Sequence, residues 1–235
     1  MRKEVKVLGA IAVIVVIAAI IGTNYYRSSV QNTRIVPANN TNKNQNANTT
    51  ASAADQLIRP DSATLGPANA KVTLVEFYDP ECETCAEFGP IVKQILKDNE
   101  GKIRLVARYM PLHPNSMTAA AFTEAAGEQG KYWEAHDLLF KKQAEWGTKH
   151  GAPRSATEPS INELFDKYAK ELGLDLAKAS SSIKARKFDA KIEQDKKDGQ
   201  SLGVRKTPEF FVNGRQLMRF GEQELKTLID EELKR

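Results

Sequence analysis

The sequence predicts an α/β fold with a block of helices inserted into it, and three observations carry that expectation. An apolar run, a helical stripe and an alternating run follow one another across residues 71–109. Helical periodicity then holds, in several pieces, across residues 115–199. A short strand, a tight turn, a second strand and a final helix close the chain from residue 209 onward. The order is strand–helix–strand, helices, then strand–strand–helix.

Residues 71–78 (KVTLVEFY) are β-branched or aromatic on both sides, as in a central strand covered by helices on each face. Residues 86–96 place Phe88, Ile91, Val92, Ile95 and Leu96 on one helical stripe, with Pro90 inside the pattern, where it should kink the helix. A turn at residues 98–101 leads to residues 102–109 (KIRLVARY), a second strand most simply parallel to the first. Residues 116–128 are Ala-rich and helical, and residues 131–143 put Tyr132, Ala135, Leu138 and Leu139 on one face. Residues 147–159 read as a loop; residues 161–172 and 174–197 read as two further amphipathic helices. Strands at residues 209–212 and 216–220 flank Asn213-Gly214, a strong hairpin signal. Leu225, Leu228, Ile229 and Leu233 give the last helix its buried side.

Ahead of this unit the composition changes sharply. Residues 7–23 carry no charge over 17 positions, at the lower edge of a membrane-spanning helix, and Arg2, Lys3 and Lys6 precede them. The basic flank keeps the N-terminus in the cytoplasm and sends the remainder across, so residues 1–23 read as a membrane anchor or a signal segment. Either reading puts the globular part outside the cytoplasm, facing a periplasm or the cell exterior, where disulfides persist. Residues 24–65 contain few large apolar groups and read as a disordered linker with a reach of about 35 Å. The globular domain is then residues 66–235.

The net charge of +4 resides wholly in that N-terminal region, where seven Lys/Arg face three Asp/Glu before residue 66. The globular part is neutral, which removes the electrostatic case for nucleic-acid binding.

Both cysteines, Cys82 and Cys85, fall directly after the first strand, at the start of the following helix. Unpaired N–H groups and the dipole of a helix N-terminus favour a thiolate there, so the pair reads as a redox site. Two other readings are a structural disulfide and half of a zinc site. A loop this small would stabilise a fold of this size little, and His113, His136 and His150 show no zinc-ligand spacing, so no metal is expected.

The element order, with Cys-x-x-Cys after the first strand, resembles the thioredoxin fold with a helical insertion at about residues 115–199. It is similar to the DsbA-like family of extracytoplasmic thiol–disulfide oxidoreductases. Glu76 falls where that family buries an acid under the second cysteine, and Pro90 where it kinks the active-site helix. Residues 203–214 (GVRKTPEFFVNG) resemble its cis-proline loop, here Thr207-Pro208, and residues 129–136 (QGKYWEAH) resemble the start of its helical insertion. The chain departs from the strongest oxidants of the family between the cysteines, where Glu83-Thr84 stands in place of a Pro-His pair.

The resemblance implies catalysis by Cys82 and Cys85 with no cofactor beyond their own disulfide. Cys82 is expected exposed and nucleophilic, and Cys85, one turn in, more buried and resolving. Glu76 is read as a buried acid with a raised pKa that moves the Cys85 proton, with a solvated edge glutamate as its alternative. Thr207 and Pro208 would present a backbone edge to substrate. Glu83 and Thr84 tune the couple, and Asp79, Glu81, Glu83 and Glu87 crowd Cys82 and oppose its thiolate, with Arg205 and Lys206 as partial offsets. A mid-range or moderately reducing couple follows. Tyr132, Trp133 and Phe140 read as core and His113, between Pro111 and Pro114, as a loop residue. The partners expected are protein thiols or disulfides and a membrane redox protein, with the chain a monomer. Oxidation, reduction and isomerisation all stay open as directions, and a non-catalytic peptide-binding or chaperone module is the alternative.

Overall fold

The computed structural model of the chain describes residues 53–148, 155 and 157–235. In chain order the elements are α1 (Ala53–Leu57), β1 (Ala63–Leu65), β2 (Val72–Tyr78), α2 (Glu83–Asp98), β3 (Ile103–Tyr109), α3 (Ser116–Gly127) and α4 (Tyr132–Lys141). They continue with α5 (Gln143–Trp146), α6 (Ile161–Glu171), α7 (Leu176–Lys184), α8 (Asp189–Ser201), β4 (Glu209–Val212), β5 (Arg215–Gln216) and α9 (Glu222–Lys234).

The sheet order is β1-β3-β2-β4-β5. β2 and β3 run parallel in register from Val72 opposite Ile103 to Tyr78 opposite Tyr109, while β1, β4 and β5 join antiparallel. The two central strands are apolar on both faces because both faces are covered. Val72 and Leu74 pack with Phe88, Val92 and Ile95 of α2 and with Leu225, Leu228 and Ile229 of α9. Val75 and Phe77, of opposite parity, pack with Val106, Met110, Val204, Phe211 and Leu57 on the other face. Each large apolar side chain buried this way contributes about 1.5–3 kcal/mol. At Gly199 of α8 a methyl group would stand 3.0 Å from the Phe77 ring, so glycine lets that helix lie close on the sheet.

The inserted helices carry a core of their own. Phe122, Leu138, Leu139, Trp146, Leu164, Phe165 and Tyr168 are buried together, and α6 starts at a capping box between Ser160 and Glu163. The α/β fold with inserted helices is therefore as the sequence predicts. Asn213 (φ 48°) and Gly214 (φ 84°) make the hairpin turn, both in the left-handed region that this dipeptide favours. Pro90 lies inside α2 without ending it.

Four expectations are corrected. The linker does not run to residue 65: Ala63–Leu65 pairs with β3, Leu57 is buried, and the Arg59 guanidinium bonds both carboxylate oxygens of Asp198 at 2.7 and 2.8 Å. One leucine and an ion pair anchor a stretch whose composition promised no core. The helix read across 174–197 is two helices, because Arg186 takes a left-handed conformation (φ 54°). The Arg186 N–H donates to Ile183 O and the Lys187 N–H to Ser182 O, a Schellman end reached without glycine. The helix read across 131–143 also breaks at Lys142, so that Gln143 opens α5. The strand read across 216–220 pairs only at Arg215 and Gln216; Leu217 turns into the core, and Met218 and Phe220 are exposed.

The segment 7–23 and the linker as far as residue 52 lie outside the described residues, as do residues 149–154 of the loop before α6. Among the described residues no helix is long and apolar enough to cross a membrane.

Candidate active site

Cys82 is the N-cap of α2, in extended conformation, and its own side chain caps nothing. The Cys82 thiol donates to Thr207 O at 3.4 Å, across the loop that enters β4. The Thr207–Pro208 bond of that loop is cis, and Pro208 is buried. Cys85 lies one turn further along, fully buried, and both cysteines are free thiols. The expectation that Cys82 stands exposed is corrected, since only 7% of its surface meets solvent. It packs with Tyr78, Tyr132 and Phe140 from the strand before it and from α4. Of the three aromatics read as core from their helical spacing, Tyr132 is buried, and Trp133 and Phe140 are partly buried against the same cluster.

The two sulfurs are pushed in opposite directions. Hydrogen bonding from the Cys85 thiol pulls Cys82 down to about 6; burial works against this, the Thr207 side chain and the Cys85 N–H support it, and the Asp79 charge opposes it. Burial, with the Cys82 hydrogen bond and the charges of Cys82 and Glu76, pushes Cys85 well above an ordinary thiol. Glu76 shares the strand face of Leu74 and Tyr78, toward α2, and is 5% exposed. Burial, and secondarily the charge on Cys82, raises it to about 8. The solvated-edge alternative for Glu76 is thereby removed.

Of the four carboxylates expected to crowd Cys82, two are buried and two are exposed. Asp79 is wholly buried and accepts from the Glu81 N–H (2.8 Å), the Leu112 N–H (2.7 Å), the His113 N–H (3.1 Å) and the Ser116 hydroxyl. His113 Nδ1 lies 2.7 Å from the same carboxylate. Glu81 accepts from the Asn115 N–H (2.6 Å), Asn115 Nδ2 (2.7 Å) and the Thr148 N–H (2.8 Å). These acids tie the Cys82 loop to the loop after β3, and the donors absorb much of their charge. Glu83, Thr84 and Glu87 face solvent on α2. Arg205, expected as an offset, is turned away: its Nη1 donates to Gln200 O and Val204 O.

Gln143 was not foreseen. From α5 its Nε2 donates to Pro80 O (3.0 Å) and Cys82 O (3.1 Å), holding the backbone on either side of the dithiol turn. A glutamine inside an apolar helical pattern was the only trace of it in the sequence.

A profile of the thioredoxin family matches residues 59–231. The chain belongs to the thioredoxin family. The fold, with helices inserted between β3 and β4, is similar to that of the DsbA proteins alpha-DsbA1 and alpha-DsbA2 of Wolbachia pipientis. The crystal structure of oxidised BdbD from Bacillus subtilis is similar over 74% of this chain and 94% of that one, at 26% identity and a TM-score of 0.63. A thioredoxin-like oxidoreductase from Silicibacter pomeroyi matches over 77% and 98%, at 30% identity and a TM-score of 0.62. Among curated sequences, the Na(+)/H(+) antiporter NhaA 1 of Salinispora arenicola is 39% identical over 153 residues, 64% of this chain. The match spans only 21% of that antiporter, about a fifth of its length, so the transport named for it is not carried to this chain.

Proposed function

We propose that this thioredoxin-family chain exchanges disulfides with protein substrates through Cys82 and Cys85. One observation supports the reading most. A thiol at a helix N-terminus, Cys82, lies against the backbone of a proline loop, with a second, deeper thiol one turn behind it. Cys82, as thiolate, attacks a substrate disulfide and forms a mixed disulfide, releasing one substrate thiolate. Glu76, in its ionised form, then takes the Cys85 proton as Cys85 attacks Cys82, so that the second substrate sulfur leaves reduced and Cys82–Cys85 closes. The reverse sequence oxidises a substrate dithiol. The Thr207–Pro208 backbone serves as the edge on which an extended substrate segment pairs. No cofactor beyond the dithiol takes part.

A Cys82 value of about 6 favours a mid-range couple, with the exposed Glu83-Thr84 pair as a further tuning element. A membrane redox partner resets the couple, and residues 1–23 anchor a monomer outside the cytoplasm. The decisive experiment is reduction of insulin disulfides by dithiothreitol, with the wild-type chain and with Cys82→Ser. Acceleration is expected from the wild type alone. Equal rates would turn the reading toward a non-catalytic binding module. A measured potential near about −120 mV, that of the most oxidising members of this class, would overturn the mid-range assignment.

A further inference from the structure

The two residues between Cys82 and Cys85 carry no positive charge, yet the loop between β3 and α3 brings an imidazole beside the turn that holds them. His113 is fastened to Asp79 twice, by its ring Nδ1 at 2.7 Å and by its main-chain N–H at 3.1 Å. Asp79 is itself joined to the nucleophile's turn, because the Cys82 N–H donates to the Asp79 carbonyl at 3.1 Å. One residue thus links the imidazole to the sulfur's backbone. The ring is not core: 41% of the His113 side chain meets solvent. The groups that bear on it from the facing loop are Asp79, Glu81 and Cys82, all negative when ionised, and from the start of α3 the Ser116 hydroxyl, which accepts the His113 N–H at 3.2 Å.

The electrostatic logic is reciprocal. Burial opposes a thiolate at Cys82, and Asp79 is the charged group that adds to that opposition. Burial lowers His113, but its hydrogen bond to Asp79 and the charges of Asp79, Cys82 and Glu81 outweigh this and raise it above an ordinary histidine. A proton held on His113 therefore cancels the charge that Asp79 places next to the sulfur.

We propose that His113, oriented by Asp79, is the charge partner of Cys82, its imidazolium favouring the Cys82 thiolate and so the reduced form of the dithiol. This deepens the function proposed above and rests on Cys82 being the attacking thiol. When a substrate dithiol reduces the Cys82–Cys85 disulfide, two electrons pass and the substrate disulfide forms. Of the two substrate protons, one goes to Cys85 and one to solvent, leaving the Cys82 thiolate opposite the imidazolium. His113 acts through Cys82 and is a positioning residue.

The test is the pH dependence of Cys82 alkylation by iodoacetamide in the full reduced chain, for wild type, His113→Asn and His113→Lys. Loss of one neighbouring charge moves a partly screened thiol by about one pKa unit. In His113→Asn the Cys82 titration is expected to rise by that amount. Alkylation at pH 6 then slows about fivefold, and the glutathione equilibrium at pH 7 shifts about fivefold toward the disulfide. His113→Lys is expected to recover most of both. An unmoved titration in His113→Asn, or equal shifts in the two variants, overturns the proposal. A second measurement needs no His113 variant: the imidazole titration, followed by NMR, is expected to fall when Cys82→Ser removes the thiolate, and an unchanged titration overturns the proposal too. If Cys82→Ser abolishes insulin reduction while His113→Asn leaves the Cys82 titration in place, the exchange reading stands and only this inference fails.

Discussion

Two clusters of buried carboxylates in this molecule are held in different ways. Behind the sheet, Asp195 and Asp198 of α8 are held by arginines: the fully buried Arg108 donates from Nε to Asp195 at 2.8 Å and from Nη2 to Asp198 at 2.6 Å, and Arg59 joins at Asp198. Beside the dithiol, Asp79 and Glu81 are held by main-chain N–H groups, a serine, an asparagine and one histidine. Guanidinium keeps its charge at every accessible pH, whereas imidazole loses it near neutrality. The arginine cluster is therefore a fixed brace joining α1, β3 and α8. The histidine cluster responds to pH, and it lies next to the sulfur.

Removing the brace is the strongest way to break this contrast. Arg108→Leu strips Asp195 and Asp198 of their shared partner inside the protein and should cost about 3–5 kcal/mol, read as a lowered midpoint in urea unfolding at pH 7. A loss below about 1 kcal/mol would mean that the cluster is not structural.

Glu76 supplies the next largest effect, and its sign follows from its direction of shift. Its folded pKa, about 8, lies above the unfolded value, so between about pH 4.5 and 8 the unfolded chain releases a proton that the folded chain keeps. Stability falls through that window by up to about 1.4 kcal/mol per pH unit. Glu76→Gln should thus gain several kcal/mol over wild type at pH 8.5 and little at pH 5, while slowing insulin reduction above neutrality. Parallel stability curves for the two proteins would refute a buried neutral acid.

Gln143→Ala removes both hydrogen bonds that fix the carbonyls around the dithiol turn, at about 1–2 kcal/mol in chemical unfolding. Faster hydrogen exchange confined to residues near Cys82 would accompany it. Ser160→Ala, in the insertion and remote from both clusters, should lose about 1 kcal/mol with no change in insulin reduction. The smallest effect sharpens the contrast most. The folded pKa of His113 lies above its unfolded value, so its stabilising contribution is full below about pH 6.5 and is lost as pH rises through the folded value. His113→Asn should then cost more at pH 5.5 than at pH 8.5, by less than about 1 kcal/mol for a side chain this exposed.

Much of the fold was legible in the chain, and for definite reasons. The residues of β2 and β3 are β-branched and apolar on both faces, and that pattern has few uses other than a covered central sheet. Asn213-Gly214 announced its hairpin because the turn needs two positive φ values that few dipeptides accept. The elements misjudged were those whose limits depend on distant contacts. Arg186 breaks a helix without glycine, and Ala53–Leu57 is held by Leu57 burial and by Gln56 O accepting from Arg108, which is 52 residues away.

The same division runs through the site. Sequence by itself determined the local chemistry: two thiols one turn apart at a helix start, an acid of the inward parity six residues earlier, and a proline loop ahead of a hairpin. All of this is carried by spacing and periodicity, which do not depend on what folds against them. Only tertiary structure decided how strongly the carboxylates act. Asp79 and Glu81 count as bare negative charges in the sequence, but apart from the Glu81 N–H their donors come from residues 112–116 and 148, and Gln143 arrives from a helix inserted after β3. The charge a sulfur feels is the sum over groups brought near it by folding, and no local pattern records that sum.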